Sequence, residues 1–534
     1  MGTVKKEKRP LPIFEGKAVF VINLITQVCV IVAQMVISLV LTPIVLDKMG
    51  AEAYGFVGLV NNFVSYAAIV TTALNSLAGR FITLAHHEGN KDAAESYYSS
   101  VFFANCILAA LVLVASVILA VNIESVVFVS SELVTDLQIM ILLAFLNCAL
   151  SLVVVVFGIA AFIKNQLYLN SVAQLISSVV RATLLCALFA FVSPHMWYYG
   201  IAAVVASAIF LVVQVWTARN VAPEYHISLN RFSLASVKEV LKSGAWSSVE
   251  SVNKLLLTGL DLWIANLFVG PYQMGIFSVA KTVPNALVSM SGSFSNLFYP
   301  KCAELYAKKE SAALTAHFSL AMKFTAGVMA VPLVGLIVYG VHFFELWLPG
   351  REPEEIILIQ TLSVLTVISL VSSSLVEPLY YANSLANKIK GSVLITLFFG
   401  ILVVVAELLL LFFSEINGLL VIASVSSIVM SARHCLVQPI YAANVLNVSA
   451  IPFFKTMARE LIGFVVVFVT FLLLSNVFCF TSWLVFAVSC ALSAVIGYIE
   501  LTVVLLSSEE RKALACKLFK KDGIDEDDCR SAQN

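Results

Sequence analysis

The chain has 534 residues, of which 60% are hydrophobic and only 12% charged, with a mean hydropathy of +0.97. Soluble domains carry roughly 25% charged residues, so this composition excludes a mainly water-soluble protein. The 32 basic and 32 acidic side chains cancel to a formal net charge of zero, and nothing in the sequence suggests nucleic-acid binding.

Long apolar runs follow one another along the whole chain. A membrane-spanning helix needs about 20 mostly apolar residues. The sequence therefore predicts an all-α polytopic membrane protein with about fourteen transmembrane helices. The predicted spans are 18–45, 53–78, 97–121, 135–162, 166–192, 196–218, 244–268, 274–299, 318–341, 356–382, 391–414, 416–446, 458–478 and 481–507.

The basic residues alternate strongly between the two sides of the predicted spans. With the amino terminus placed in the cytoplasm, 25 of the 32 Lys and Arg residues fall in cytoplasmic segments. Only Lys48 and Arg351 fall in the opposite loops. The positive-inside rule then places both termini in the cytoplasm, in a cytoplasmic (inner) membrane.

Two glycine-containing turns repeat each other about 220 residues apart along the chain. Gly50 and Gly55 follow the first apolar run, and Gly270 and Gly275 follow a later one with the same spacing. Each turn leads into another long apolar run. Such repetition in a hydrophobic chain is typical of transporters built from two related halves.

The repeat predicts two six-helix bundles that are parallel, because an even number of spans separates the two turns. An additional helix pair and a charged tail follow them. The predicted regions are an amino-terminal bundle at 1–218, a cytoplasmic connector at 219–243, a second bundle at 244–446, a helix pair at 447–507 and a cytoplasmic tail at 508–534.

Prolines distinguish the second half from the first. Pro284, Pro332, Pro378 and Pro439 all fall inside predicted spans of the second half. Proline removes an intrahelical hydrogen bond, so this half is expected to be the more strongly kinked one.

Span seven carries a stripe of polar side chains. At 100° per residue an α-helix places them within an arc of about 80°. The stripe comprises Ser247, Glu250, Lys254, Thr258 and Asp261, with Asn253 beside it. Lys281 follows the second turn at a depth near that of Asp261. We expect Lys254, Asp261 and Lys281 to face a central aqueous cavity, although a static ion-paired cluster would explain the same charges.

Arg181 lies near the middle of span five with no acidic residue close to it in the sequence. A mid-membrane Arg requires a partner from another helix or an anionic ligand. Arg181, Lys254, Lys281 and Asn253 are therefore the candidate substrate-binding residues. Candidates for coupling to a cation gradient are the acidic residues Asp261, Glu250, Glu377 and Glu407.

Several kinds of chemistry have no motif in the sequence. There is no phosphate-binding G-x-x-x-x-G-K-[ST] loop, no H-E-x-x-H and no long exterior loop that could hold a catalytic domain. The ten cysteines are scattered without a C-x-x-C pair and read as small apolar residues. The sequence therefore predicts no catalytic residues, no metal or cofactor, and no enzymatic activity.

Two stretches resemble a known group of transporters. They are LDKMGAEAYGFVGLVNNFVSY at 46–66 and LKSGAWSSVESVNKLLLTGLDLWIANLFVGPYQMGIFSVAKTVP at 241–284. They are similar to the Wzx-type polysaccharide biosynthesis flippases of the multidrug/oligosaccharidyl-lipid/polysaccharide exporter (MOP) superfamily. In that family an Asp in span seven, matched by Asp261, precedes a glycine turn and a motif matched by 277–280.

The resemblance implies a V-shaped pair of bundles that works by alternating access. The implied partners are a polyprenyl-pyrophosphate-linked oligosaccharide, membrane lipids and H⁺ or Na⁺ as coupling ion. A monomer is implied, with polysaccharide assembly proteins as further candidate partners. Fourteen spans resemble the lipid II flippase branch, in which the last helix pair forms a groove for the lipid tail. The polar stripes here are less rich in arginine than that substrate would lead us to expect.

Three alternatives stay open at the level of the sequence. A cation-coupled multidrug exporter would favour an acidic cavity, which the mid-membrane Arg and two Lys argue against. A polymerase or ligase of the same pathway would need a sizeable exterior loop. A non-transporting membrane component of polysaccharide assembly is the third alternative.

Overall fold

The computed structural model describes residues 17–507, except 165, 296–297, 387 and 479, together with residues 510 and 511. Within these residues every regular element is helical, which confirms the predicted all-α fold. Eleven helical stretches in the same residues are long and apolar enough to cross a membrane. The protein is therefore a multi-pass membrane protein. The chain divides into two compact units, Met1–Val279 and Ala280–Asn534.

In its described residues the first unit contains nine helices, of which the last follows the second glycine turn. They are α1 Lys17–His87, α2 Lys91–Val121, α3 Ile123–Val126, α4 Val134–Ile163, α5 Leu167–Phe191, α6 Tyr198–Val221, α7 Leu234–Lys254, α8 Asp261–Phe268 and α9 Pro271–Ala280. A π-helical turn at Leu255–Gly259 joins α7 to α8, and a short 3₁₀ turn at Leu229–Arg231 precedes α7.

The second unit contains the remaining helices. They are α10 Thr282–Ser295, α11 Tyr299–Ala307, α12 Ser311–Trp347, α13 Pro353–Val376, α14 Tyr381–Leu385, α15 Ile389–Phe413, α16 Gly418–Ala432, α17 Gln438–Leu446, α18 Ile451–Ser475 and α19 Trp483–Leu505. Two irregular turns interrupt predicted spans of this unit. A 3₁₀ turn at Glu377–Tyr380 joins α13 to α14, and a π turn at Arg433–Val437 joins α16 to α17.

The count of eleven stretches differs from the predicted fourteen because two predicted spans are merged into one stretch and two others are divided into shorter helices. The stretch Ile25–His86 counts once although it has 62 residues. At 1.5 Å per residue it would measure about 90 Å, three times the thickness of a hydrocarbon core. Its helix is broken at Gly50, where φ is 82° and ψ is 172°. The predicted spans 244–268 and 274–299 are each divided into shorter helices, so the number fourteen stays a prediction.

The two repeated glycine turns lie against each other inside the first unit. Gly50 and Gly270 both have positive φ, at 82° and 125°, which favours glycine at these positions. A Cβ on Gly55 would lie 2.8 Å from the Cα of Gly275. A Cβ on Gly275 would lie 2.0 Å from the carbonyl oxygen of Ala51. The second glycine of each turn therefore allows α1 and α9 to approach at backbone distance.

The helix pair α18 and α19 packs on α12 in the second unit. The side chain of Leu505 would lie 3.1 Å from a Cβ on Gly327 and 3.3 Å from a Cβ on Gly463. Further along, the Tyr339 ring stacks on Phe471 with centroids 5.4 Å apart, and the Tyr339 hydroxyl is 2.9 Å from Ser493 Oγ. Small residues and one buried hydroxyl pair thus join the three helices, as is usual where helices associate within a bilayer.

Candidate functional site

Arg181 is the basic centre of the first unit. It lies on α5, is partly exposed, and interacts electrostatically with the phenol of Tyr199 on α6. Within the described residues no carboxylate lies in ion-pairing distance of Arg181. Tyr199 is in turn influenced by Tyr54, whose hydroxyl is 3.0 Å from Thr42 Oγ1. Arg181 therefore lies near the neutral phenol of Tyr199, which in turn lies near the Tyr54 hydroxyl.

Other members of the polar stripe on α5 make contacts between helices. Ser177 Oγ donates to the carbonyl of Ala206 at 2.9 Å, and Asn170 Nδ2 donates to the carbonyl of Gly158 at 3.2 Å. These bonds join α5 to α6 and to α4. For Arg181, by contrast, no carboxylate or backbone carbonyl of the described residues accepts a hydrogen bond.

The π turn at Leu255–Gly259 separates the charged residues of span seven. Its backbone bond runs from the Leu260 N–H to the Leu255 carbonyl, five residues back. A π turn holds one residue more than an α-turn, which rotates the following helix by about 100°. The predicted common arc assumed an unbroken α-helix. In the structure Lys254 is exposed whereas Asp261 is buried, with 4% of its surface exposed.

The side chains beside this π turn follow the same division. Glu250 is exposed, as is Lys254 one turn later, whereas Asn253 is buried. The predicted stripe therefore divides into an exposed pair before the π turn and a buried Asp261 after it.

Helix α1 holds the π turn in place. The carbonyl of Gly259 accepts a hydrogen bond from Asn62 Nδ2 at 2.9 Å and a second from the Tyr66 hydroxyl. Tyr66 also interacts electrostatically with Asp261 at the start of α8. A π turn leaves carbonyls without their usual helical donors, and a bilayer offers no water to replace them. Asn62 and Tyr66 supply the missing donors.

Lys281 lies in the second unit, in the break between α9 and α10. Its side chain is buried, and the neighbouring carbonyl of Ala280 accepts a hydrogen bond from Ser363 Oγ. Lys254 and Asp261 belong to the first unit. A cavity that all three residues face stays a prediction.

Arg433 forms the basic centre of the second unit, at the start of its π turn. Only 6% of its surface is exposed. Nη1 donates to the Tyr380 hydroxyl at 2.9 Å and Nη2 donates to Thr396 Oγ1 at 2.6 Å. Glu377, at the start of the 3₁₀ turn, interacts electrostatically with the guanidinium. Arg433 thus connects α15, the 3₁₀ turn and the π turn.

His434 extends this centre by hydrogen bonds. Its Nδ1 is 3.1 Å from Ser372 Oγ, which donates to Ser431 Oγ at 3.1 Å. Its ring meets that of Tyr380 edge to face, with centroids 6.3 Å apart. Glu377 was predicted as a coupling candidate, but Arg433 and His434 were not. On an ideal helix Arg433 falls on the side opposite the polar stripe of Ser424, Ser427 and Ser431.

Two of the prolines that predicted kinks in the second half lie at this centre. Pro378 lies within the 3₁₀ turn, and Pro439 follows the π turn. Pro439 cannot donate the α-helical bond to residue 435, and its ring would press on that carbonyl. The wider π turn relieves that clash. Glu407, the remaining acidic candidate, is buried on α15 with 1% exposed.

Comparison with known proteins gives the family and the fold. A model of the family "Polysaccharide biosynthesis protein" matches residues 20–305. The "Uncharacterized membrane protein EpsK" of Bacillus subtilis (strain 168) is 26% identical over 505 residues, covering 94% of this chain and 98% of that protein.

Two solved structures show the fold. The lipid II flippase MurJ, in an inward closed conformation, is similar with a TM-score of 0.61 at 11% identity, over 91% of this chain and 98% of MurJ. An inward-facing multidrug resistance MATE family transporter of the MOP superfamily gives 0.58 at 15% identity, over 80% of this chain and 99% of that one. Since the family model matches more than half of its length, the chain belongs to the polysaccharide biosynthesis protein family and has the fold of MOP-superfamily transporters.

Proposed function

We propose that this protein is a flippase that carries a polyprenyl-pyrophosphate-linked oligosaccharide across the cytoplasmic membrane by alternating access, driven by a cation gradient. Both termini lie in the cytoplasm, and the protein performs no chemical reaction on its substrate. The observation that carries this proposal is Arg181, which lies at membrane depth in the first unit near the Tyr199 phenol, with no carboxylate of the described residues in ion-pairing distance.

The extent of the structural match supports a lipid-linked substrate. The MATE transporter covers 80% of the chain, whereas MurJ covers 91%. Membership of a polysaccharide biosynthesis family also points to a glycan rather than to a drug. A substrate with an apolar tail and a polar headgroup suits a protein that offers both a hydrophobic exterior and buried polar centres.

Arg181 is suited to the headgroup. A guanidinium presents paired donors that match the oxygens of a phosphate, and these charge-assisted bonds are about twice as strong as neutral ones. An Arg at membrane depth without a carboxylate is costly unless an anion compensates it. The substrate's pyrophosphate supplies that charge. Lys254, Lys281 and Asn253 are proposed as the further headgroup contacts.

Coupling to a cation gradient is assigned to carboxylates of the predicted spans. Asp261 lies directly after a π turn and Glu377 lies within a 3₁₀ turn, so each adjoins an irregular turn of the kind that often marks a hinge. Binding of a cation to either carboxylate changes the local charge, which is how such elements are shifted between states. Glu250 and Glu407 are the remaining coupling candidates.

A flipping assay on reconstituted full-length protein tests the proposal. A fluorescent oligosaccharide on polyprenyl pyrophosphate is placed in proteoliposomes, and an impermeant quencher reports how much headgroup reaches the outer leaflet. We expect Arg181→Gln to lower the rate at least 30-fold, an estimate of about 2 kcal/mol for one lost charge-assisted contact. Arg181→Lys should retain an intermediate rate, because it keeps the charge without the paired donors.

The matched control is Arg80→Gln, which removes an exposed arginine at the predicted cytoplasmic end of span two. Its rate should equal that of the wild type. Equal rates for Arg181→Gln and Arg80→Gln would overturn the role of Arg181. If the wild type flips no lipid-linked sugar but expels a cationic dye, the multidrug alternative is correct.

A further inference from the structure

One buried lysine in the second unit has two possible carboxylate partners. Lys323 lies on α12, with 13% of its side chain exposed. Its Nζ contacts both carboxylate oxygens of Glu510, at 2.8 and 3.0 Å. Glu510 follows α19 in the sequence, so this contact joins it to α12.

The same carboxylate closes a capping box. The Ser507 N–H donates to Glu510 Oε2 at 2.7 Å, and the Glu510 N–H donates to Ser507 Oγ at 3.2 Å. The Arg511 N–H donates to the Ser507 carbonyl at 2.9 Å. This reciprocal arrangement stabilises a helix start. We call Lys323, Ser507 and Glu510 the carboxy-terminal latch.

Glu460 on α18 is the second partner of Lys323. It is fully buried, with 0% of its surface exposed, and neither of its carboxylate oxygens has a hydrogen-bond partner among the described residues. Lys323 acts on it electrostatically. A buried carboxylate without hydrogen bonds is costly, and a nearby ammonium group is the one compensation available here.

The packing of α19 explains why both carboxylates are close to one lysine. Leu505 contacts Gly327 on α12 and Gly463 on α18. Lys323 precedes Gly327 by one helical turn on α12, and Glu460 precedes Gly463 by one helical turn on α18. Both residues lie toward the end of α19 at which Leu505 is found. The carboxy-terminal latch and Glu460 therefore lie at the same end of the contact among α12, α18 and α19.

Other charged groups on these elements have different surroundings. Lys455 and Arg459 on α18 are exposed. Glu500 on α19 accepts a hydrogen bond from Thr470 at 2.8 Å. His317 on α12 lies against the Phe298 ring, and Arg511 directly follows Glu510. Among these groups, Lys323 is the one cation recorded as acting on Glu460.

We propose that Glu460 and Glu510 are alternative partners of Lys323, so that a proton on Glu460 closes the carboxy-terminal latch and its loss opens it. One ammonium group cannot neutralise two carboxylates in a medium of low polarity. When Glu460 holds a proton, Lys323 is available to Glu510 and binds its carboxylate. When that proton leaves, Lys323 pairs with Glu460 instead and its contact with Glu510 is lost.

Hydrogen–deuterium exchange of the full-length protein in lipid nanodiscs tests this exchange of partners. The readout is the protection of the amides of Glu510 and Arg511, corrected for the intrinsic effect of pH. In the wild type, protection should fall as the pH is raised and Glu460 loses its proton, while the neutral Glu460→Gln variant keeps its protection at every pH. Glu510→Gln and Lys323→Met should lose about tenfold in protection at every pH.

Glu500→Gln is the matched control, because it also neutralises an acid of the helix pair. Its protection should follow the wild-type pH dependence. The proposal is overturned if Glu460→Gln keeps that pH dependence, or if Lys323→Met leaves the protection unchanged. The readout is independent of transport, so its outcome does not depend on the substrate.

Discussion

Each compact unit contains a buried or half-buried arginine, and the two differ in what surrounds them. Arg433 is enclosed, with donors directed at Tyr380 and Thr396 and with Glu377 to balance its charge. Arg181 is partly exposed, and the phenol of Tyr199 acts on it electrostatically. Arg433 uses its two terminal nitrogens to join helices, whereas Arg181 has no carboxylate of the described residues in ion-pairing distance and can direct its donors to a ligand.

The two π turns show a similar contrast. In the second unit the π turn begins with Arg433, which forms its own contacts to neighbouring helices. In the first unit the turn has no charged member and is held from outside, by Asn62 and Tyr66. A turn held by two neutral hydrogen bonds costs less to rearrange than one held by a buried ionic centre.

The largest effect is expected for Arg433→Leu. Removing one partner of a buried ionic centre typically destabilises a protein by about 3–5 kcal/mol, because the charge of Glu377 is left without its partner. Membrane abundance and the melting temperature of the purified protein should both fall. The melting temperature of Arg433→Lys should lie between those of Arg433→Leu and the wild type. An unchanged melting temperature for Arg433→Leu would remove the contrast between the two arginines.

A smaller effect is expected when a pyrophosphate binds to Arg181. Inorganic pyrophosphate at 100 times its Kd should stabilise the wild type by about 2.7 kcal/mol, since a ligand that binds only the folded state shifts unfolding. The stabilisation should disappear in Arg181→Gln and persist in Arg80→Gln. Thermal melting with and without pyrophosphate measures this. Equal stabilisation of all three proteins would show that pyrophosphate binds at a site other than Arg181.

The smallest effect is expected for Tyr66→Phe, which removes one of the two donors to the Gly259 carbonyl. A lost hydrogen bond of this kind costs about 1 kcal/mol, and Asn62 still occupies the carbonyl. We expect a slight loss of stability together with a clear change in flipping rate, because the turn precedes Asp261. Phe63→Leu changes a neighbouring apolar residue and serves as the control. A normal flipping rate in Tyr66→Phe would show that this turn keeps one geometry during transport.

Hydropathy was sufficient to predict most of the fold, since the membrane requires long apolar helices whose lengths follow from its thickness. The breaks at Gly50 and Gly270 were also predictable, because the spacing of glycines repeats. The π turns were not. Five residues in a π turn have the same composition as five in an α-helix, so the rotation that separates Lys254 from Asp261 leaves no trace in the periodicity.

The polar partners of the site were harder to predict than its charged members. Arg181, Asp261 and Glu377 stood out because charges are rare inside spans. Arg433 was assigned no role, since its partners lie 37 and 53 residues away in sequence. Glu460 was missed because it lies close to the start of a predicted span, where a lone acid is ordinarily solvated.

The contact between Gly55 and Gly275 constrains how the sequence can change. The two positions come from different copies of one repeated turn, yet each copy limits the volume available to the other. A side chain gained at either position has to be compensated by a backbone shift at its counterpart. Among relatives of this protein the two sites should therefore vary as a pair, so that duplicated segments which are free to diverge elsewhere remain matched at this one point.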